Sequence, residues 1–370
     1  MTDFINVTKP FLPPLEEIIS DLEGIWQSGV LTNGGQLHQR LEAELAEFLS
    51  VPHVSLFCNA TTALMVAQRA LDLSGEFITT PYSFAATSHA FAWTGMQPVF
   101  VDISHESMTL DPANIAAAIT PTTTAIVPVH CYGNTCDVTE IAEIAERYGL
   151  KVIYDACHSF GIEDMGGGVF RHGDLSVVSF HATKVFNTFE GGMIACSSSE
   201  LKQKIDNLKN FGFVDETSVN SIGINGKMSE FNAAVGLAQL RYFDQVVTMR
   251  GAKDRLYREL LGTTEGISLF RQVGQMKKNF SYFPIFVDEH YPLTRDQLYE
   301  KLKDHDVLAR RYFYPLISEF PMYKSLPSAS PDNLAIASRL SRQVLCLPLH
   351  PHLTESQVHY ISDLVASEKK

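Results

Sequence analysis

The middle of the chain alternates short apolar, β-branched runs with segments of helical period, and this alternation constrains the fold more than any other feature. "TTAIVPVHCYG" is an apolar run that ends in a glycine turn. "DVTEIAEIAERYG" follows it, with Ile141, Ile144 and Ala145 at helical spacing, an Asp/Thr start and a Gly stop. "KVIYDAC", "DLSVVSFHAT" and "GGMIACS" read as further strands, and "SELKQKIDNLKNFG" as a further helix. Upstream, "ATTALMVAQRAL" predicts a helix and "EFITTP" a short strand. Strands that are apolar along their whole length are covered on both faces. With helices between them they predict an α/β fold built on a largely parallel sheet.

After about Tyr242 the pattern changes. "LAQLRYFDQVVTMRGAKDRLYREL" predicts a long helix that leads into a smaller region. There "NFSYFPIFV" and "VLCLPLHP" read as strands, and "TRDQLYEKLKDHD" and "TESQVHYISDLVASE" as helices. Thr354 and Gln357 fit a capping box for the last helix. We expect two domains: a large one over 1–244 and a smaller C-terminal α/β domain over 245–370.

Composition narrows the function. The formal net charge of −13 argues against a nucleic-acid or anionic-membrane binder. No apolar run is long enough to span a bilayer, and "MTDFINVTKPFLPP" lacks the pattern of a secretory signal, so a cytoplasmic protein with no membrane partner is expected. The six cysteines form no CxxC pair and sit mostly in apolar segments, which suggests reduced thiols; with no compact Cys/His cluster, no metal site is expected.

Two residues stand out chemically. Asp155 follows the apolar start of "VIYDACHSFG", and an aspartate at the carboxyl end of a parallel strand faces the crevice where α/β proteins bind ligands. Lys184, in "SFHATKVFNTFEGGM", follows a later strand of the same sheet. A carboxylate and a lysine converging on one crevice can serve pyridoxal phosphate, the amine forming a Schiff base and the carboxylate keeping the ring nitrogen protonated. They could equally form a structural ion pair, although charge left unpaired after apolar strands is costly. "FCNATTALMVA" offers a strand, a polar turn and a helix start, where the amides of Ala60 and Thr61 could bind a phosphate. Taken alone, an ordinary helix cap explains it as well. Ser179 could add a hydroxyl, and Phe84 in "TTPYSFAAT" could stack on a ring. The surroundings of Lys184 suggest a desolvated, more readily neutral amine, and the following glycines a close turn past a cofactor.

Together these segments resemble the DegT-type aminotransferases, the nucleotide-sugar branch of fold-type I pyridoxal-phosphate enzymes. The resemblance spans nearly the whole chain, through "SGVLTNGGQLHQRLEAELAEFLSVPHVSLFCNATTAL", "PVHCYGNTCDVTEIAEIAERYGLKVIYDACHSFG", "SFHATKVFNTFEGGMI" and "GINGKMSEFNAAVGLAQL". It implies a mostly parallel seven-stranded sheet between helices, with pyridoxal 5'-phosphate as cofactor and pyridoxamine 5'-phosphate as its amino-bearing form. Lys184 matches the Schiff-base lysine and Asp155 the partner of the pyridine nitrogen. Ala60, Thr61 and Ser179 match phosphate-binding positions, and Phe84 the residue stacked on the ring. His158 stands where the family often has glutamine, at the cofactor's 3-hydroxyl. Asn225 matches an asparagine that reaches the neighbouring subunit's cofactor, which implies a homodimer with shared sites.

The resemblance further implies transfer of an amino group from L-glutamate to a nucleotide-linked keto sugar. The lysine block is most similar to enzymes acting on C4 of a dTDP-linked 4-keto-6-deoxyglucose in O-antigen or other glycan biosynthesis. A C3 transaminase on a 3-keto sugar and UDP- or GDP-sugar versions are the nearest alternatives. A dehydratase of the same scaffold is disfavoured because that branch has histidine in place of the lysine. A non-catalytic regulator is disfavoured by the intact Asp155 and Lys184. His350, Arg310, Arg311 and Lys227 are weaker candidates; either arginine could bind a donor carboxylate.

Overall fold

A computed structural model describes residues 4–367. Its central sheet has seven strands: β1 (His53–Phe57), β2 (Glu76–Thr79), β3 (Gln97–Phe100), β4 (Thr123–Val127), β5 (Lys151–Asp155), β6 (Leu175–Ser179) and β7 (Gly192–Cys196). The spatial order is β1-β7-β6-β5-β4-β2-β3. All neighbours are parallel except β7, which runs antiparallel to both β1 and β6. Every residue of β6 and β7 is buried, as expected for strands covered on two faces.

The helices α1 (Glu16–Ser28), α2 (Gln36–Phe48), α3 (Ala60–Ala70), α4 (Ala86–Trp93), α5 (Val138–Tyr148) and α6 (Ser199–Leu208) surround this sheet. The local causes are legible. In α5, the Asp137 side chain accepts the Glu140 amide at 3.0 Å, Ile141 and Ala145 face inward, and Gly149 ends the helix at φ 66°, which a residue with a Cβ adopts only under strain. Helix α2 has no side-chain cap of its own at Gly35. The carboxylate of Glu230 substitutes, accepting the amides of Leu37 (2.9 Å) and His38 (3.1 Å).

Glu230 also opens α7 (Glu230–Leu261), a helix of 32 residues capped by Ser229. It starts seven residues before the segment expected from sequence, because Ser229 accepts the Asn232 amide. It runs through residue 244 without a break. Phe243 and Val246 pack into the core between α2 and the sheet, while Tyr257 and Leu261 join the C-terminal core. That second core is built on an antiparallel sheet of β8 (Ile267–Leu269), β9 (Phe283–Val287) and β10 (Val344–Leu347). Around it lie α8 (Arg295–Asp304), α9 (Ala335–Gln343) and α10 (Glu355–Ala366). The expected capping box of Thr354 and Gln357 is present. In "NFSYFPIFV" only the last five residues are strand, and Asn279–Tyr282 form a polar approach to it.

Candidate active site

Strands β1, β5 and β6 end on one edge of the sheet and enclose a cavity of about 340 Å³. Asp155 is the last residue of β5 and is 5% exposed. Its Oδ2 accepts the Thr87 hydroxyl at 2.7 Å, its Oδ1 accepts the Cys157 amide at 3.2 Å, and Thr87 is in turn within 2.7 Å of the Ser83 hydroxyl. The carboxylate is therefore held from α4 and from its own strand end while facing the cavity.

Lys184 lies in the loop after β6, and its Nζ donates to the Tyr282 hydroxyl at 3.4 Å. Among the described residues, no carboxylate lies within ion-pair distance of it. Burial pushes the amine's pKa down, but Tyr282, Cys157 and Asp155 raise it, and the balance is above the ordinary lysine value. This corrects the expectation of a more readily neutral amine: the backbone around Lys184 is apolar, but the side chain reaches polar partners supplied by distant segments.

The phosphate site read from sequence takes shape at α3. Asn59 Oδ1 accepts the Thr62 amide at 2.8 Å, while the amides of Ala60 and Thr61, two places and one place earlier, have no helical carbonyl to meet. Both residues line the cavity, as does Ser179, the last residue of β6. A Cβ on Gly192 would stand 2.7 Å from the Ala60 nitrogen, so only glycine lets β7 pass directly beneath this helix start. A Cβ on Gly191 would meet Thr188 Oγ1 at 2.2 Å. The two glycines thus let the strand pack closely against Thr188 and the start of α3.

Phe84 sits at the cavity mouth, 60% exposed. His158 is buried, and its Nδ1 accepts the Tyr132 amide at 3.2 Å, so its proton lies on Nε2. Burial and the neighbouring Lys184 hold it well below the usual histidine range. Asn225 is not a cavity residue: it is exposed, on the segment between α6 and α7.

The two adjacent arginines part company. Arg311 pairs with Asp296 at 2.7 Å and lies over Tyr299. Arg310 is exposed at the cavity rim, its backbone pinned to Cys346. Lys227 donates to Asn210 Oδ1 at 2.7 Å, away from the cavity. His350 is buried outside it. Sequence reasoning missed Tyr282; the available signal was a polar "NFSY" stretch opening an otherwise apolar strand.

These residues fit pyridoxal phosphate by their own chemistry: helix amides free for an anion, a fixed carboxylate, and a lysine with no ion-pair partner among the described residues. Comparison with known proteins agrees. The sequence pattern of the DegT/DnrJ/EryC1/StrS aminotransferase family matches residues 15–366, and the chain belongs to that family. It is 53% identical over 365 residues to the dTDP-4-amino-4,6-dideoxy-D-glucose transaminase of Shigella dysenteriae, covering 99% of each. The Escherichia coli protein of the same name is 51% identical over 363 residues, covering 98% of each. The crystal structure of DesI in the presence of its TDP-sugar product matches with a TM-score of 0.94 at 34% identity, over 99% of this chain and 93% of that one.

Proposed function

We propose that the protein is a pyridoxal-phosphate-dependent transaminase that moves the amino group of L-glutamate to C4 of dTDP-4-keto-6-deoxy-D-glucose, giving dTDP-4-amino-4,6-dideoxy-D-glucose. The observation that carries the substrate is the 53% identity, over 99% of both chains, to the Shigella dysenteriae enzyme.

The amides of Ala60 and Thr61 with the Ser179 hydroxyl would hold the cofactor's phosphate, Asp155 its ring nitrogen, His158 its 3-hydroxyl and Phe84 one ring face; Lys184 would carry the covalent link. When bound, pyridoxal phosphate supplies a carbon that carries the amino group and a ring that accepts electrons. Thr87 and the Cys157 amide keep Asp155 aimed while leaving each oxygen a further lone pair. His158, neutral and protonated on Nε2, has one N–H to offer there, on the side that also faces Tyr282. Lys184 takes the proton from the donor's α-carbon and returns one when the sugar is aminated. The Arg310 guanidinium, at the rim, would meet the donor's carboxylate.

Asn225 lies outside the cavity of its own chain and is read as part of a partner's site in a homodimer. Trp93 (83% exposed) and Ile222 (84% exposed) flank an apolar groove of about 440 Å³ close by, which favours a partner chain there. Residues 1–244 and 245–370 are taken as the two domains, and the cytoplasm as the location.

The test is product identification by NMR after incubating cofactor-loaded protein with L-glutamate and dTDP-4-keto-6-deoxy-D-glucose. An amine on C4 is expected. An amine on C3, or turnover of UDP- or GDP-linked sugars alone, would replace this reading.

A further inference from the structure

Tyr282 has no role in the reaction proposed above, yet the segment that bears it is held from two sides. Asn279, 1% exposed, donates through Nδ2 to the carbonyls of His158 (2.8 Å) and Phe160 (3.0 Å). The Ser281 hydroxyl donates to the same His158 carbonyl at 2.8 Å. From the other side Arg250 of α7, 3% exposed, donates through Nε to the Phe280 carbonyl and through Nη2 to the Ser281 carbonyl, each at 2.8 Å. A Cβ on Gly251 would stand 2.8 Å from the Phe280 ring, so α7 lies directly against the segment. The residues that precede β9 are thus clamped onto the stretch that follows β5.

This clamp delivers one hydroxyl to the cavity. Tyr282 Oη lies 3.4 Å from Lys184 Nζ and 3.5 Å from His158 Nε2. Because His158 Nδ1 accepts the Tyr132 amide, its Nε2–H is a donor toward Tyr282. The tyrosine oxygen therefore faces two donors, and its own proton is left to point into the cavity. Both distances are at the long end for hydrogen bonds, as catalytic contacts often are before substrate is bound.

We propose that Tyr282 is a positioning residue for Lys184: its hydroxyl, aimed by the Asn279–Tyr282 clamp and by His158, holds the ε-amine in place and favours its ammonium form between the two proton transfers. This rests on the transamination proposed above. Tyr282 keeps its own proton throughout; the proton that moves belongs to Lys184 and the substrate carbons. The titratable groups facing the amine are Asp155, Cys157 and His158 from the end of β5, and Tyr282 itself. The hydrogen bond to the Tyr282 hydroxyl acts to raise the Lys184 pKa.

The first test needs no cofactor or substrate. Trinitrobenzenesulfonate labelling of Lys184, followed by peptide mass mapping, is measured against pH in cofactor-free wild type and Tyr282→Phe. The variant should label about tenfold faster near pH 8, the factor expected when a hydrogen bond to a charged group is lost. In the loaded enzyme Tyr282→Phe should lower kcat about tenfold or more and shift its pH profile, with KM for the sugar little changed. Ser281→Ala, which loosens the clamp without touching the hydroxyl, should move labelling in the same direction by less. It carries the test if Tyr282→Phe folds poorly. A labelling curve unchanged in both variants overturns the proposal whatever the sugar substrate proves to be. A changed curve with a different sugar product overturns only the substrate assignment.

Discussion

Two lysines, Lys209 and Lys184, show what this fold does with positive charge. Lys209, next to the end of α6, has a side chain 7% exposed and meets Glu42 at 3.2 Å and Asp206 at 2.8 Å. Glu42 also takes Lys202 at 2.9 Å, His38 at 3.1 Å and the Leu56 amide at 2.9 Å. Lys184 meets a single neutral hydroxyl at 3.4 Å. The first is a closed network in which each charge has a counter-charge, and its work is to hold α2, α6 and β1 together. The second lysine is left with unused donors facing a cavity, which is costly unless something arrives to meet it. A saturated charge is structural, and an unsaturated one marks chemistry.

Four measurements would break or sharpen this contrast. The largest effect is expected from Lys184→Ala, which should lower transamination at least about 10⁴-fold because it removes both attachment and proton transfer. The thermal midpoint should be unchanged or higher. Borohydride trapping and peptide mapping should find the cofactor on Lys184 in wild type, and label on another lysine would sink the assignment. Next, Asp155→Asn should slow the glutamate half-reaction about 10³-fold in stopped-flow experiments while the fold and cofactor attachment survive, since an amide cannot supply the charge that matters as electrons move into the ring. A near wild-type rate would mean that Asp155 has another role.

Lys209→Met should do the reverse. It leaves Glu42 and Asp206 short of a counter-charge and should cost about 3 kcal/mol in urea unfolding, with kcat of the folded protein retained. Equal loss of activity and stability would erase the distinction between the two lysines. The smallest effect concerns acid. The Glu42 carboxyl is held far below the usual range, by His38 first and then by Lys209 and Lys202, against the opposing pull of burial. Its folded pKa is depressed, so its contribution is complete above the unfolded value of about 4.3 and fades as pH falls below it. Between about pH 5 and pH 3 wild type should lose about 2 kcal/mol more than Glu42→Gln. Superimposable acid limbs would show that the network does not hold Glu42 ionised.

What could be read in advance follows from how local each signal is. Strands β4 to β7, helix α5 and the last capping box are written in contiguous residues, and they stand where the pattern put them. Asp155, Ser179 and the pair Ala60 and Thr61 were legible because a residue at a strand end or helix start inherits its direction from that element. The antiparallel course of β7 was not read, because an apolar run looks the same in either direction. Only the short return through the lysine loop, with no helix to cross over, sets it. Arg310 and Arg311 are indistinguishable in sequence; Asp296, fifteen positions away, decides which is engaged. Tyr282 reaches Lys184 across 98 positions; the polar stretch that bears it marks a departure from the strand pattern but does not name its partner.

The reversed strand has a consequence for how the molecule holds shut. Pairing Cys196 with His53 joins positions 143 apart, the most distant match in the seven-stranded sheet, and the pairing runs on to Gly192 and Phe57. Loop closure on that scale makes such an edge slow to form. The helix start at Ala60 rests on the strand that makes this match, through the bare backbone of Gly192. If Ala60 and Thr61 hold the cofactor's phosphate as proposed, binding requires that seam to be zipped and would draw the equilibrium toward the zipped state by mass action. Cofactor saturation should therefore slow hydrogen exchange at β1 and β7 more than at β3 on the far edge. On that reading the ligand's anionic tail would be a clasp on the sheet's longest-range seam.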